Sequence, residues 1–180
     1  MKRALVVGIG LVALVTSPGL LPAQGLSQTD ELIIGTWKQN VARSTYNPVG
    51  PPPNVAYAVR QYAAGIDGSI VAITMNVDPH GLPSLGAISA ANYDGKEYAQ
   101  HTVATLATSL SSHISPRMDR TISYKRLDPY TVRIVQKQGD DVVAASTRTI
   151  SRDGKTMTDT SDYTDAAGRH VTNVLVFEKQ

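Results

Sequence analysis

The stretch RTISYKRLDPYTVRIVQKQGDDVVAASTRTISRDGKTMTDTSDY, residues 120–163, decides the fold class. It divides into four runs, RTISYKRL, YTVRIVQKQ, VVAASTRTI and KTMTDTSDY, broken at LDPY (127–130), QGDD (138–141) and RDGK (152–155). The runs are rich in Val, Ile, Thr and Tyr, whose branched or aromatic side chains suit a pleated sheet. The breaks hold Asp-Pro, Gly-Asp and Asp-Gly pairs, in which Pro presets φ and Gly supplies a positive one. Strand-length runs joined by such turns predict one antiparallel hairpin after another.

The same rhythm extends in both directions. Upstream turns are predicted at GIDGS (65–69), DPHGLP (78–83) and YDGK (93–96), and a downstream one at DAAGR (165–169). Between and beyond them lie VAYAVRQYAA, GSIVAITMNV and HVTNVLVFEK, giving nine or ten strands in all. In HVTNVLVFEK one face carries Val171, Asn173, Leu175 and Phe177, the other Thr172, Val174, Val176 and Glu178. In YTVRIVQKQ, Tyr130, Val132 and Ile134 oppose Thr131, Arg133 and Val135. Both faces are mixed, which a dry sandwich core resists and a small barrel with a partly polar interior accepts. The expected fold is all-β: an antiparallel up-and-down meander of about 8–10 strands closed as a barrel. Two stretches interrupt it. YNPVGPPPN (46–54) is too proline-rich for a paired strand. TVATLATSLSSHISPR (102–117) spaces Val103, Leu106, Leu110 and Ile114 nearly as a helix does, and reads as a short helix or a long loop.

Residues 1–25 have the layout of a secretory signal peptide. Lys2 and Arg3 precede the apolar run ALVVGIGLVALV, and TSPGLLPAQG follows with cleavage expected near Gly25. The run is short and holds Gly8 and Gly10, which argues against the alternative of an uncleaved anchor. Residues 26–33 form an N-terminal lead, and 34–180 the barrel domain, which is large enough for one core. Export to the periplasm or beyond, with a bacterial type of signal, is the expected destination.

Removing Lys2 and Arg3 brings the 17 basic residues level with the 15 acidic ones. A neutral domain without basic clusters lacks the footprint of a nucleic-acid binder. The chain has no cysteine, hence neither a disulfide framework nor thiolate chemistry. A single Trp and a single Phe supply too few aromatics for the two girdles of an outer-membrane barrel. The mature protein is therefore not expected to insert in a membrane.

GTWKQNVARSTYNP (35–48) resembles the start of the lipocalin and fatty-acid-binding-protein (calycin) barrels, which open on a Gly-x-Trp strand followed by Lys. YDGKEY, TRTISRDGKTMT and the terminal NVLVFEKQ resemble a group of small exported bacterial lipocalin-like proteins, and the likeness spans most of 34–179. The resemblance implies that Trp37 plugs one barrel end while Gly35 lets the backbone pass closely. It also implies that a late-strand Arg stacks on the Trp, here Arg148, a contact worth about 0.5–2 kcal/mol. The late Arg-x-Tyr pair with which fatty-acid-binding proteins hold a carboxylate is missing, since the last strand reads LVFEK.

No HExxH, nucleophile elbow or phosphate loop is present, and neither a metal nor another cofactor is expected. His80 and His170 fall at turns. His101 and His113 flank the irregular segment and are candidates for acid–base work at a barrel mouth. Tyrosine suits the wall of a cavity holding an apolar body with a few polar atoms. Tyr57, Tyr93 and Tyr124, with Arg133 and Arg148, are the candidate ligand-binding residues. The expected function is binding of a small hydrophobic or amphipathic molecule, without catalysis. The alternative is a lyase, isomerase or cyclase working in the same cavity.

Overall fold

Gly35, with φ +127°, opens the first strand of a closed antiparallel barrel. The computed structural model describes residues 32–48, 50, 54–102, 120–164 and 168–180. The expected signal peptide, the lead up to residue 31, His113 and nearly all of 102–117 lie outside the described residues.

Eleven strands follow in order among the described residues: β1 (Gly35–Gln39), β2 (Thr45–Asn47), β3 (Tyr57–Ala64), β4 (Ile70–Val77), β5 (Pro83–Ala91), β6 (Asp94–Thr102), β7 (Arg120–Asp128), β8 (Thr131–Gln138), β9 (Asp141–Ile150), β10 (Thr156–Thr164) and β11 (His170–Lys179). From β3 to β11 each strand pairs with the next, and β1 joins β3 to β11, so ten strands close the ring. Closure leaves no long exposed edge.

The eleventh segment is a detour of the first. After β1 the chain makes a 3₁₀ turn, Val41–Arg43, capped by Asn40, whose Oδ1 accepts from the Arg43 amide at 3.2 Å. It then rejoins β11 as β2, with Thr45 opposite Val174 and Asn47 opposite Thr172. Pairing thus reaches two residues into YNPVGPPPN and stops before Pro48, which has no N–H to give. β2 does not pair with β3. There Gln39 replaces the missing ladder: its Oε1 accepts from the Ala58 amide at 2.9 Å, and its Nε2 donates to the Tyr46 hydroxyl at 2.7 Å.

The turns form for the reasons their sequences suggest. Asp78 Oδ1 accepts from the amides of His80 and Leu82, Asp128 Oδ1 from that of Tyr130, and Asp153 Oδ1 from that of Lys155. Each closes an Asx-type turn that relieves the backbone of unpaired groups.

The core lies toward the end where β1 begins. Trp37, Phe177 and Met157 are wholly buried there, with Ile33, Tyr62, Ile70 and Ala72 around them. The Trp37 indole donates from Nε1 to the Ile33 carbonyl at 2.7 Å, so its one polar atom is satisfied inside the plug. The stacking partner differs from the one the resemblance implies. Lys179 Nζ lies 5.4 Å from the centre of the Trp37 ring, and Arg148 lies instead over Tyr62 at 5.0 Å. Register explains this: Trp37 is directly opposite Lys179 where β1 closes onto β11.

Candidate functional site

Above that plug the barrel is not packed solid. A cavity of about 310 Å³ runs between the strands, near the lower limit of ~300–1,000 Å³ usual for small-molecule sites. Period-two alternation decides what borders it. On β3 the inward residues are Ala58, Arg60 and Tyr62, on β7 Arg120, Ile122 and Tyr124, and on β10 Asp159 and Ser161. More of the lining side chains are polar than apolar.

The centre of the wall is a shared ion pair. Arg148 on β9 donates from Nε to Asp159 Oδ1 at 2.7 Å and from Nη2 to Oδ2 at 3.0 Å. Arg60 on β3 also donates to Asp159 Oδ2, reaching across the interior. β9 and β10 pair with Arg148 opposite Asp159, which makes the bidentate contact a direct result of register. Both guanidiniums rest on aromatic rings, Arg148 on Tyr62 and Arg60 on Phe177 at 4.6 Å.

The ion pair fixes the charges of this group against the effect of burial. Burial disfavours an ionised Asp159, but Arg148 and then Arg60 override it and hold the carboxyl below its ordinary range. Burial likewise presses Arg148 to lose its proton, and Asp159 prevails, raising its pKa well above the usual value. Tyr124, facing the same space, is pushed up chiefly by desolvation and stays a neutral phenol. Tyr93, in the β5–β6 turn, is raised by burial too, and meets Tyr124 edge-on with ring centres 5.8 Å apart.

Of the residues singled out from sequence, Tyr124 and Arg148 border the cavity. Tyr93 supports Tyr124 from below and lies under the Arg126 guanidinium. Tyr57 and Arg133 do not reach the interior. Tyr57 alternates with the inward Ala58 and packs under Lys38, and Arg133 is exposed between the buried Val132 and Ile134. His101 lies between the cavity-lining Gln100 and Thr102, opposite Ile88, and so turns to the outer wall. His80 and His170 are exposed at turns. The acid–base reading based on histidine therefore has no support among the described residues. No group of three or more His, Cys, Asp or Glu that could hold a metal occurs among them either.

Sequence reading passed over Asp159, Arg60 and Arg120. Asp159 nevertheless carries a signal, since it stands in mid-strand between Thr158 and Thr160 while most other acids fall in turns. A strand-centre charge is expensive unless a partner faces it.

Compared with known proteins, the chain matches no protein-family model, no curated protein and no solved structure.

Proposed function

We propose that this barrel binds a small amphipathic molecule in its interior, and that the chain is an exported bacterial protein of the lipocalin-like, calycin kind. One observation carries the binding reading: the space above the Trp37 plug is an open cavity walled by inward side chains from most of the strands. A barrel that served only as a scaffold would gain stability by filling that space, because unfilled interior volume forfeits contacts. The polar wall favours a ligand with polar atoms distributed along it over a plain hydrocarbon chain. Export is supported by Lys2, Arg3 and the apolar run after them.

Native mass spectrometry of gently purified protein tests the binding reading. The expected result is a retained mass of small-molecule size, or uptake of one from a panel of amphipathic compounds. A protein that retains nothing and takes up nothing would count against it. N-terminal sequencing of the protein recovered from the periplasm or medium tests export, with a start near Gly25 expected.

A further inference from the structure

We infer that the cavity takes an anion: a small hydroxylated molecule bearing an oxyanion, held by Arg148 and Arg120. This rests on the cavity being a ligand site. The argument begins with charge. The charged side chains bordering the cavity, among the described residues, are Arg60, Arg120, Arg148 and Asp159, three cations against one carboxylate. Both oxygens of Asp159 are already engaged by Arg148 and Arg60, so it has little capacity left for a third guanidinium.

Hydrogen-bond accounting points to the same cavity. Arg148 has a side chain only 5% exposed, and its Nη1 is buried without a partner. Arg120 Nε, on the same cavity wall, is likewise buried and unpartnered. Buried donors in native proteins are nearly always satisfied, and a buried cationic donor left open is costly. Two such donors in one cavity, with a surplus of positive charge, describe a site completed by acceptors that carry negative charge. Guanidinium forks match carboxylate and phosphate oxygens. Gln100, Gln136, Ser146 and Ser161 on the same wall offer neutral hydrogen bonds suited to hydroxyl groups.

The test uses matched pairs that differ in charge: gluconate against glucitol for a carboxylate, and glucose 6-phosphate against glucose for a phosphate. Binding is followed by the NMR signals of the arginine Nε–Hε groups and of the Tyr124 ring, with exposed Arg133 as the outer-wall control. The acid of at least one pair is expected to bind about tenfold or more tighter than its neutral counterpart, the low end for a charge-assisted hydrogen bond to a buried group. Arg148 and Arg120 should shift saturably while Arg133 does not. Arg120→Gln, which leaves the Asp159 ion pair intact, should reduce the preference for the acid at least about threefold. Which pair shows the preference tells carboxylate from phosphate. Equal binding of acid and neutral partner overturns the anion inference and leaves the cavity reading in place. So does an Arg133 shift that tracks the interior arginines, or an acid preference that survives Arg120→Gln intact. No saturable shift of Arg148, Arg120 or Tyr124 with any of the four probes overturns the anion inference, while uptake of an amphipathic compound in native mass spectrometry would still uphold the cavity reading.

Discussion

Arg148 and Asp159 are direct cross-strand partners in the β9–β10 ladder, joined by hydrogen bonds of 2.7 and 3.0 Å and almost wholly removed from water. Asp159 also serves Arg60, so one carboxylate ties three strands together across the interior. Replacing it by asparagine keeps the shape and removes the charge. The buried Arg148 and the partly buried Arg60 then lose their shared counter-charge, and breaking a buried pair in this way costs about 3–5 kcal/mol. Asp159→Asn should therefore lower the free energy of unfolding in a denaturant titration by that order. A change under about 1 kcal/mol would show that water reaches the pair.

The same carboxylate sets a pH dependence. Its pKa is lower in the folded protein than the ordinary 3.8, so between those two values the unfolded chain binds more protons than the folded one. The stabilisation is complete above the ordinary value and is lost as pH falls through the folded one. Acidification from about pH 5 downward should lower the wild-type midpoint. Asp159→Asn should show a shallower acid limb, its stability having been lost already at neutral pH. Parallel acid limbs in the two proteins would place the titration elsewhere, for instance at Asp128 or Asp153, whose pKa values are also lowered, by turn hydrogen bonds.

The strands and turns were legible because each is encoded locally. Asp128-Pro129 and Asp153-Gly154 mark their turns without help from the rest of the chain, and the alternation of Val132 and Ile134 marks an inward face. The expectation that Trp37 plugs an end rests on the likeness of GTWKQNVARSTYNP to the calycin start and not on a local pattern. The cavity wall was less legible than the strands, for a reason of frame. A strand's inward set changes completely with a shift of one residue, and only closure chooses between the two sets. Choosing Tyr57 on β3 selects the outer set, whereas Arg60 and Tyr62 belong to the inner one. The Trp37–Lys179 contact depends on which residues come opposite each other once β1 closes onto β11, and no local pattern carries that. Arg148 meets Asp159 through the β9–β10 hairpin alone, so there the turn sets the register and only the choice of inward face was hidden.

Because Trp37 is the only tryptophan, it reports on the plug alone. It is fully buried, with Lys179 above it and Ile33 accepting its indole hydrogen bond. Its emission should be blue-shifted in the native protein, resist quenching by acrylamide and move to the red on unfolding. Trp37→Ala should cost about 3–5 kcal/mol, as truncating a buried aromatic does, measured by circular dichroism since the fluorophore is gone. A solvent-like native emission would contradict the plug.

Gln39 offers the sharpest test of how the barrel closes. Where β1 leaves β3 for the 3₁₀ turn, the Ala58 amide has no strand partner on that side and takes Gln39 Oε1, while Gln39 Nε2 is engaged by Tyr46. Gln39 is only 5% exposed, so water has little access to replace it. Gln39→Met keeps the length and burial of the side chain and removes both hydrogen bonds. It leaves a partly buried amide and hydroxyl to be satisfied anew, at a cost of about 1–3 kcal/mol for an unpaired buried group. Hydrogen exchange localises the effect: the Ala58 amide should lose protection far more than that of Ile134 on β8, at the far side of the ring. Equal loss at both would mean that Gln39 supports the barrel as a whole. Unchanged protection at Ala58 would mean that β2 and β3 are held together by other means.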